Sequence, residues 1–173
     1  VPDTFVKIAS VTVGSGGAAS MTFSSIPSTY TDLCIEISAR GTRASIVDAV
    51  SFKFNSDTTA ANYKIVNLYG TGSATGSFSG STYIIENGWI SGATATANTF
   101  GSTTLYAPNY TSSNAKSFSV DSASENNATG AWMNMSAYSW TGTAAISTIE
   151  IISGYSASFV QYSTATLYGI KSS

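Results

Sequence analysis

The chain has 173 residues, of which 43% are hydrophobic, 12% aromatic and only 9% charged, with a net charge of −2 and no histidine. That apolar content excludes a disordered polyelectrolyte, and the absence of any Lys/Arg run excludes a protein that tracks a phosphate backbone, so no nucleic-acid partner is expected. Without histidine there is no Ser-His or Cys-His dyad, and a single cysteine, Cys34, allows neither an intrachain disulfide nor a zinc cage.

In chain order, alternation of apolar and polar residues with β-branched and aromatic enrichment marks a series of short strands. Residues 5–13 form the first, closed by Gly14, Gly16 and Gly17; residues 19–23 follow, stopped before Ile26 and Pro27. Residues 32–40 put Leu33, Ile35, Ile37 and Ala39 on one face and Glu36, Ser38 and Arg40 on the other. Cys34 lies in an apolar run and reads as a small packed side chain. Residues 50–55 alternate likewise, with Val50, Phe52 and Phe54 inward. A short helical turn is predicted near residues 58–62, capped by Asp57 or Thr58. Strands at 63–69 and 81–90 flank a Gly/Ser/Thr-rich segment, 70–80, predicted to be a mobile loop. Strands at 99–107, 115–121, 131–140, 145–153 and 159–170 complete the set.

The expectation is an all-β single domain over residues 1–173, an antiparallel β-sandwich, jelly-roll-like, with about ten strands. No segment between strands supplies a crossover helix, which excludes parallel βαβ order. No apolar stretch reaches the ~20 residues of a helical membrane span, and no membrane partner is expected. No signal-peptide pattern opens the chain, and with Val at position 1 an initiator Met or a short leader is expected upstream.

Candidate chemistry is sparse. Asp121 and Glu125 fall in a predicted loop, 121–127, where they could meet a ligand. Turn chemistry, an acid/base pair and a calcium site all fit these residue types, and turn chemistry is favoured. Trp89, Trp132 and Trp140 could stack on sugar rings, but aromatics in alternating strands more often fill a core or a subunit interface. Trp89, Asp121 and Glu125 are therefore the candidate binding residues. No catalytic residue, metal site or cofactor is expected. Sequons at Asn109, Asn127 and Asn134 arise readily by chance in a chain this rich in Asn, Ser and Thr. A lightly charged surface suits a protein that lives inside an assembly, and equally a Ser/Thr-coated secreted domain.

Three stretches carry a resemblance. They are Lys7-Ile8-Ala9-Ser10-Val11-Thr12-Val13 with Met21 to Leu33, including Ile26-Pro27; then Phe52-Lys53-Phe54-Asn55 with Asn62-Tyr63; and Ser163-Thr164-Ala165-Thr166-Leu167-Tyr168-Gly169-Ile170-Lys171. In order and spacing these resemble virion structural proteins of tailed bacteriophages, from the first strand to the last. The resemblance implies a jelly-roll-like β-sandwich on the virion surface, without enzymatic activity. The role expected from it is a capsid decoration or cement protein bound to the major capsid protein, as a homo-oligomer, a trimer. Residues 1–4 and 70–80 are the expected points of contact between neighbours. The alternative is a tail-fibre or tail-appendage module binding host glycans, which requires Trp89 or several tyrosines to be exposed and clustered.

Overall fold

The structure is a computed structural model that describes residues 4–84, 86–127 and 130–171. Among them are twelve strands: β1 (Phe5–Thr12), β2 (Ser20–Phe23), β3 (Asp32–Ala39), β4 (Val47–Phe54), β5 (Tyr63–Gly70), β6 (Thr75–Gly80), β7 (Gly88–Ser91), β8 (Gly101–Ala107), β9 (Lys116–Glu125), β10 (Ala131–Trp140), β11 (Ile149–Ser153) and β12 (Thr164–Ile170). They form two antiparallel sheets in a β-sandwich. The wide sheet has the order β1-β12-β3-β8-β9-β10-β5-β6, and the narrow one β2-β11-β4-β7. The narrow sheet pairs early with late strands, and the wide sheet runs from β3 through the meander β8-β9-β10 to β5 and β6.

The main core is built by alternation. Leu33, Ile35 and Ile37 of β3, Leu105 of β8 and Val120 of β9 face Val50 and Phe52 of β4 and Ile149 and Ile151 of β11. An aromatic cluster fills one end, with Phe54 stacked on Phe118 at 4.4 Å and packed against Tyr63, Tyr138 and Trp140. Packed rings of this kind stabilise beyond their buried area.

Toward the other end the wide sheet's inner face changes character. After Phe118 and Val120, β9 presents Ser122 and Ser124; after Trp140 and Tyr138, β10 presents Ser136 and Asn134; after Tyr63 and Ile65, β5 presents Asn67. These small polar side chains let β7 lie very close. A Cβ added to Gly88 would stand 2.5 Å from Thr103 Cγ2, and one on Gly101 would stand 2.6 Å from Ile90 Cα. Hydrogen bonds then replace apolar contact between the sheets: Trp89 N–H donates to Ser122 Oγ at 2.8 Å, and Ser136 Oγ donates to the Asn87 carbonyl at 2.8 Å.

Several sequence expectations need correction. Residues 75–80 are strand β6 on the edge of the wide sheet, not part of a mobile loop, because β5 supplies their backbone partners from Ile65 to Gly70. The strand predicted at 81–90 shrinks to β7. The strand predicted to end at Asp121 continues to Glu125, so neither Asp121 nor Glu125 is in a loop. With β6 the strands number twelve rather than about ten. The helical turn is a 3₁₀ turn at Ala60–Asn62 whose N-cap is Thr59, without a side-chain cap; Asp57, one of the two expected caps, instead accepts the Thr59 N–H at 2.8 Å in a local turn that leads into it.

Candidate interaction surface

The protein has few charges, and most are spent inside it. Asp32 accepts from Tyr106 Oη and the Asn109 N–H, Glu36 from Thr104 Oγ1, and Glu86 from the Trp89 indole. Glu125 takes the Thr96 N–H at 2.8 Å and both the Thr96 and Thr99 hydroxyls, which ties the loop 93–99 to the end of β9. Glu150 pairs with Lys53 across β11 and β4. Arg40 directs its guanidinium into the same loop, donating to the carbonyls of Ala93, Ala95, Thr96 and Thr99. Lys116 is buried and donates to the carbonyls of Asn114, Gly142 and Ala144; burial pulls its ammonium below the usual lysine range.

Asp48 is fully buried. Desolvation raises its carboxyl above the usual range, against the Ala49 N–H and Ser153 hydroxyl that it accepts. Among the described carboxylates, Asp121 is the one with no hydrogen bond or ion pair.

Asp121 lies on the outer face of β9, where cross-strand register places it beside Met135 of β10, which in turn faces Leu68 of β5. The next row holds Ala137 and Val66, and the row on the other side Met133, flanked by Ala123 and Gly70. The result is a continuous apolar block on a sheet face open to solvent. Val66 is 57% exposed, Leu68 61%, Met133 51% and Met135 52%. Shallow depressions flank Met135 and Leu68 on both sides. On β8 and β3 the same face turns polar, with Thr104 and Glu36 continuing Asp121's row.

The three candidate binding residues are not brought together. Trp89 is buried, 5% exposed, in a small cluster with Val47 and Ala49 against which Tyr69 and Trp132 pack. It is a packing residue, held there by the close approach of β7. Glu125 ties down a loop. Asp121 and Glu125 are four strand residues apart, about 13 Å at the usual rise, beyond the spacing of a glycosidase pair. Among the described residues no group of three or more His, Cys, Asp and Glu side chains gathers as metal ligands do. The exposed block on β5 and β10 escaped the sequence reading. Its signal is present, however: Trp132, Tyr138 and Trp140 occupy one face of β10, and Met133, Met135 and Ala137 the other, the two-sided apolar pattern of a strand covered on both faces.

No protein-family model matches the chain, and neither a curated protein nor a solved structure matches it.

Proposed function

We propose that this chain is a non-enzymatic structural protein of a bacteriophage virion, a decoration protein that docks on the major capsid protein through the outer face of β5, β10 and β9. The observation that carries the docking is the exposed block of Val66, Leu68, Met133 and Met135 on an otherwise Ser- and Thr-rich surface. A contiguous apolar patch on a sheet face is a mark of an interaction site. Methionines suit such a face because their unbranched chains adapt to an irregular partner. Asp121, unpaired at the edge of the block, then gives the contact its polarity: it favours a Lys or Arg on the shell and disfavours a carboxylate. The phage assignment rests on the sequence resemblance.

Cementing follows from linkage. A protein that binds the assembled lattice and not its separated subunits adds its binding free energy to the assembled state alone. The homotrimer expected from the sequence belongs to this reading, with the open edge of β6 as the place where copies meet. The tail-appendage alternative loses Trp89 as its stacking ring, because that ring is buried.

The test strips the protein from heads and adds it back. Stripped heads are expected to rupture at lower temperature, wild-type protein to restore resistance, and a folded Met135→Lys variant to fail to rebind. Heads equally resistant without the protein, or rebinding by Met135→Lys as tight as wild type, would overturn the reading.

A further inference from the structure

At the end of β3, away from the apolar block, one residue holds the two walls of a cleft of about 540 Å³ lined by Arg40, Asn98, Phe100, Val160, Gln161 and Tyr162. The backbone of Arg40 fixes the turn 160–163: its carbonyl accepts the Val160 N–H at 2.9 Å, and its N–H donates to Ser163 Oγ at 3.2 Å. Its side chain fixes the loop 93–99 through four carbonyls.

Folding accounts for the turn at Tyr162, whose N–H donates to the Val13 carbonyl at 3.0 Å, but not for a tyrosine side chain on it. Tyr162 occupies the third position of the turn closed by the Ser163 N–H on the Val160 carbonyl, and its φ is +72°. Glycine ordinarily takes that position, and a bulky side chain there is strained. Burial does not offset the strain, since Tyr162 is 69% exposed. Strain retained without a packing return points to use of the side chain.

We infer that this cleft binds a neutral saccharide, with the Tyr162 ring stacking on the apolar face of a hexose and the carboxamides of Asn98 and Gln161 taking its hydroxyls. Both amides are exposed and free of hydrogen bonds to the described residues. Phe100 and Val160 supply apolar wall, the usual balance of a small-ligand site. Neutral ligands are favoured because the cleft's one cation, Arg40, has both terminal nitrogens committed to carbonyls, and no carboxylate lines the cleft. The site is separate from the docking face, so either inference can fail without the other.

The test uses the purified chain on an array carrying free neutral oligosaccharides on one set of spots and bacterial surface polysaccharides on another, with affinities of bound glycans then measured by calorimetry. Binding to either set supports the cleft, and the set bound identifies the source. Tyr162→Gly is the decisive variant, because it relieves the turn while removing the ring. It is expected to unfold at a temperature no lower than wild type and yet to bind at least about tenfold more weakly, while Tyr162→Phe stays within roughly threefold. No neutral glycan bound, binding confined to acidic glycans, or undiminished binding by Tyr162→Gly would overturn the inference.

Discussion

The backbone N–H of Trp89, on the edge strand β7 of the narrow sheet, donates to the hydroxyl of Ser122 on β9 of the wide sheet, 2.8 Å away. Edge strands leave donors unpaired, and those donors template aggregation. Here a side chain from the opposite sheet satisfies one of them, which is only geometrically open because Gly88 and Ser122 let the sheets close up. Ser122→Ala leaves the Trp89 donor buried and unmet, at a cost of about 1–2 kcal/mol. Urea denaturation is expected to show a lower midpoint with an unchanged slope. An unchanged midpoint would mean the bond contributes nothing.

Asp57 joins the 3₁₀ turn to the aromatic core. Its carboxylate accepts the Trp140 indole N–H at 2.7 Å, the Asn62 amide at 2.8 Å and the Thr59 N–H at 2.8 Å. Desolvation pushes its pKa up, but these donors together outweigh it and hold the carboxyl at about 2, below its ordinary 3.8. A depressed carboxyl contributes stability that is present above its unfolded value and lost as pH falls through its folded one. Wild type is therefore expected to exceed Asp57→Asn by on the order of 1 kcal/mol, after screening, above about pH 4, with the two converging near pH 2. Thermal melts of both across that window check it; a gap independent of pH would contradict it.

Asp48 works in the opposite sense. Its raised carboxyl means that stability is fully present below the ordinary aspartate value and declines as pH rises through the folded one, because ionisation is then forced on a buried group. One oxygen, Oδ2, makes no hydrogen bond. Asp48→Asn keeps an acceptor for the Ala49 N–H and the Ser153 hydroxyl without the charge. Its melting temperature relative to wild type is expected to improve as pH rises above the ordinary aspartate value of 3.8. A difference that stays flat with pH would show that Asp48 is not ionised at cost.

Cys34 sits on the outer face of β3 between Tyr106 and Tyr168 in cross-strand register, yet it is buried. Burial first, then the charge of Glu36 and a contact to it, push the thiol up to about 12. The thiolate is the reactive form, so the native protein is expected to resist iodoacetamide at pH 8 and to react fully once unfolded. Stoichiometric labelling of native protein within minutes would refute this.

The strands with an apolar inner face were legible: β3 and β10 were placed within a residue by their alternation. What failed was local. β9 seemed to end at Asp121 because its later inward residues are Ser122 and Ser124, so the apolar rhythm stops while the ladder continues. β6, Thr-Gly-Ser-Phe-Ser-Gly, carries loop composition and is a strand only because β5 pairs with it. The burial of Trp89 is not legible in the sequence, because the depth at which β7 packs depends on glycines and serines far away along the chain. Asp121 was singled out for the wrong partner: its neighbours are Met135 and Thr104 across the strands, not Glu125 along its own. Tyr162 offered no sequence signal, because its positive φ belongs to a turn that long-range bonds to Arg40 and Val13 define.

The measurement that bears most directly on the docking claim is cryo-electron microscopy of the intact particle that carries this chain. Density for the sandwich is expected on the head, with Val66, Leu68, Met133 and Met135 turned toward the major capsid protein and Asp121 beside a basic residue of the shell. Density on the tail, or on the head with the outer face of β5, β10 and β9 open to solvent, would contradict it.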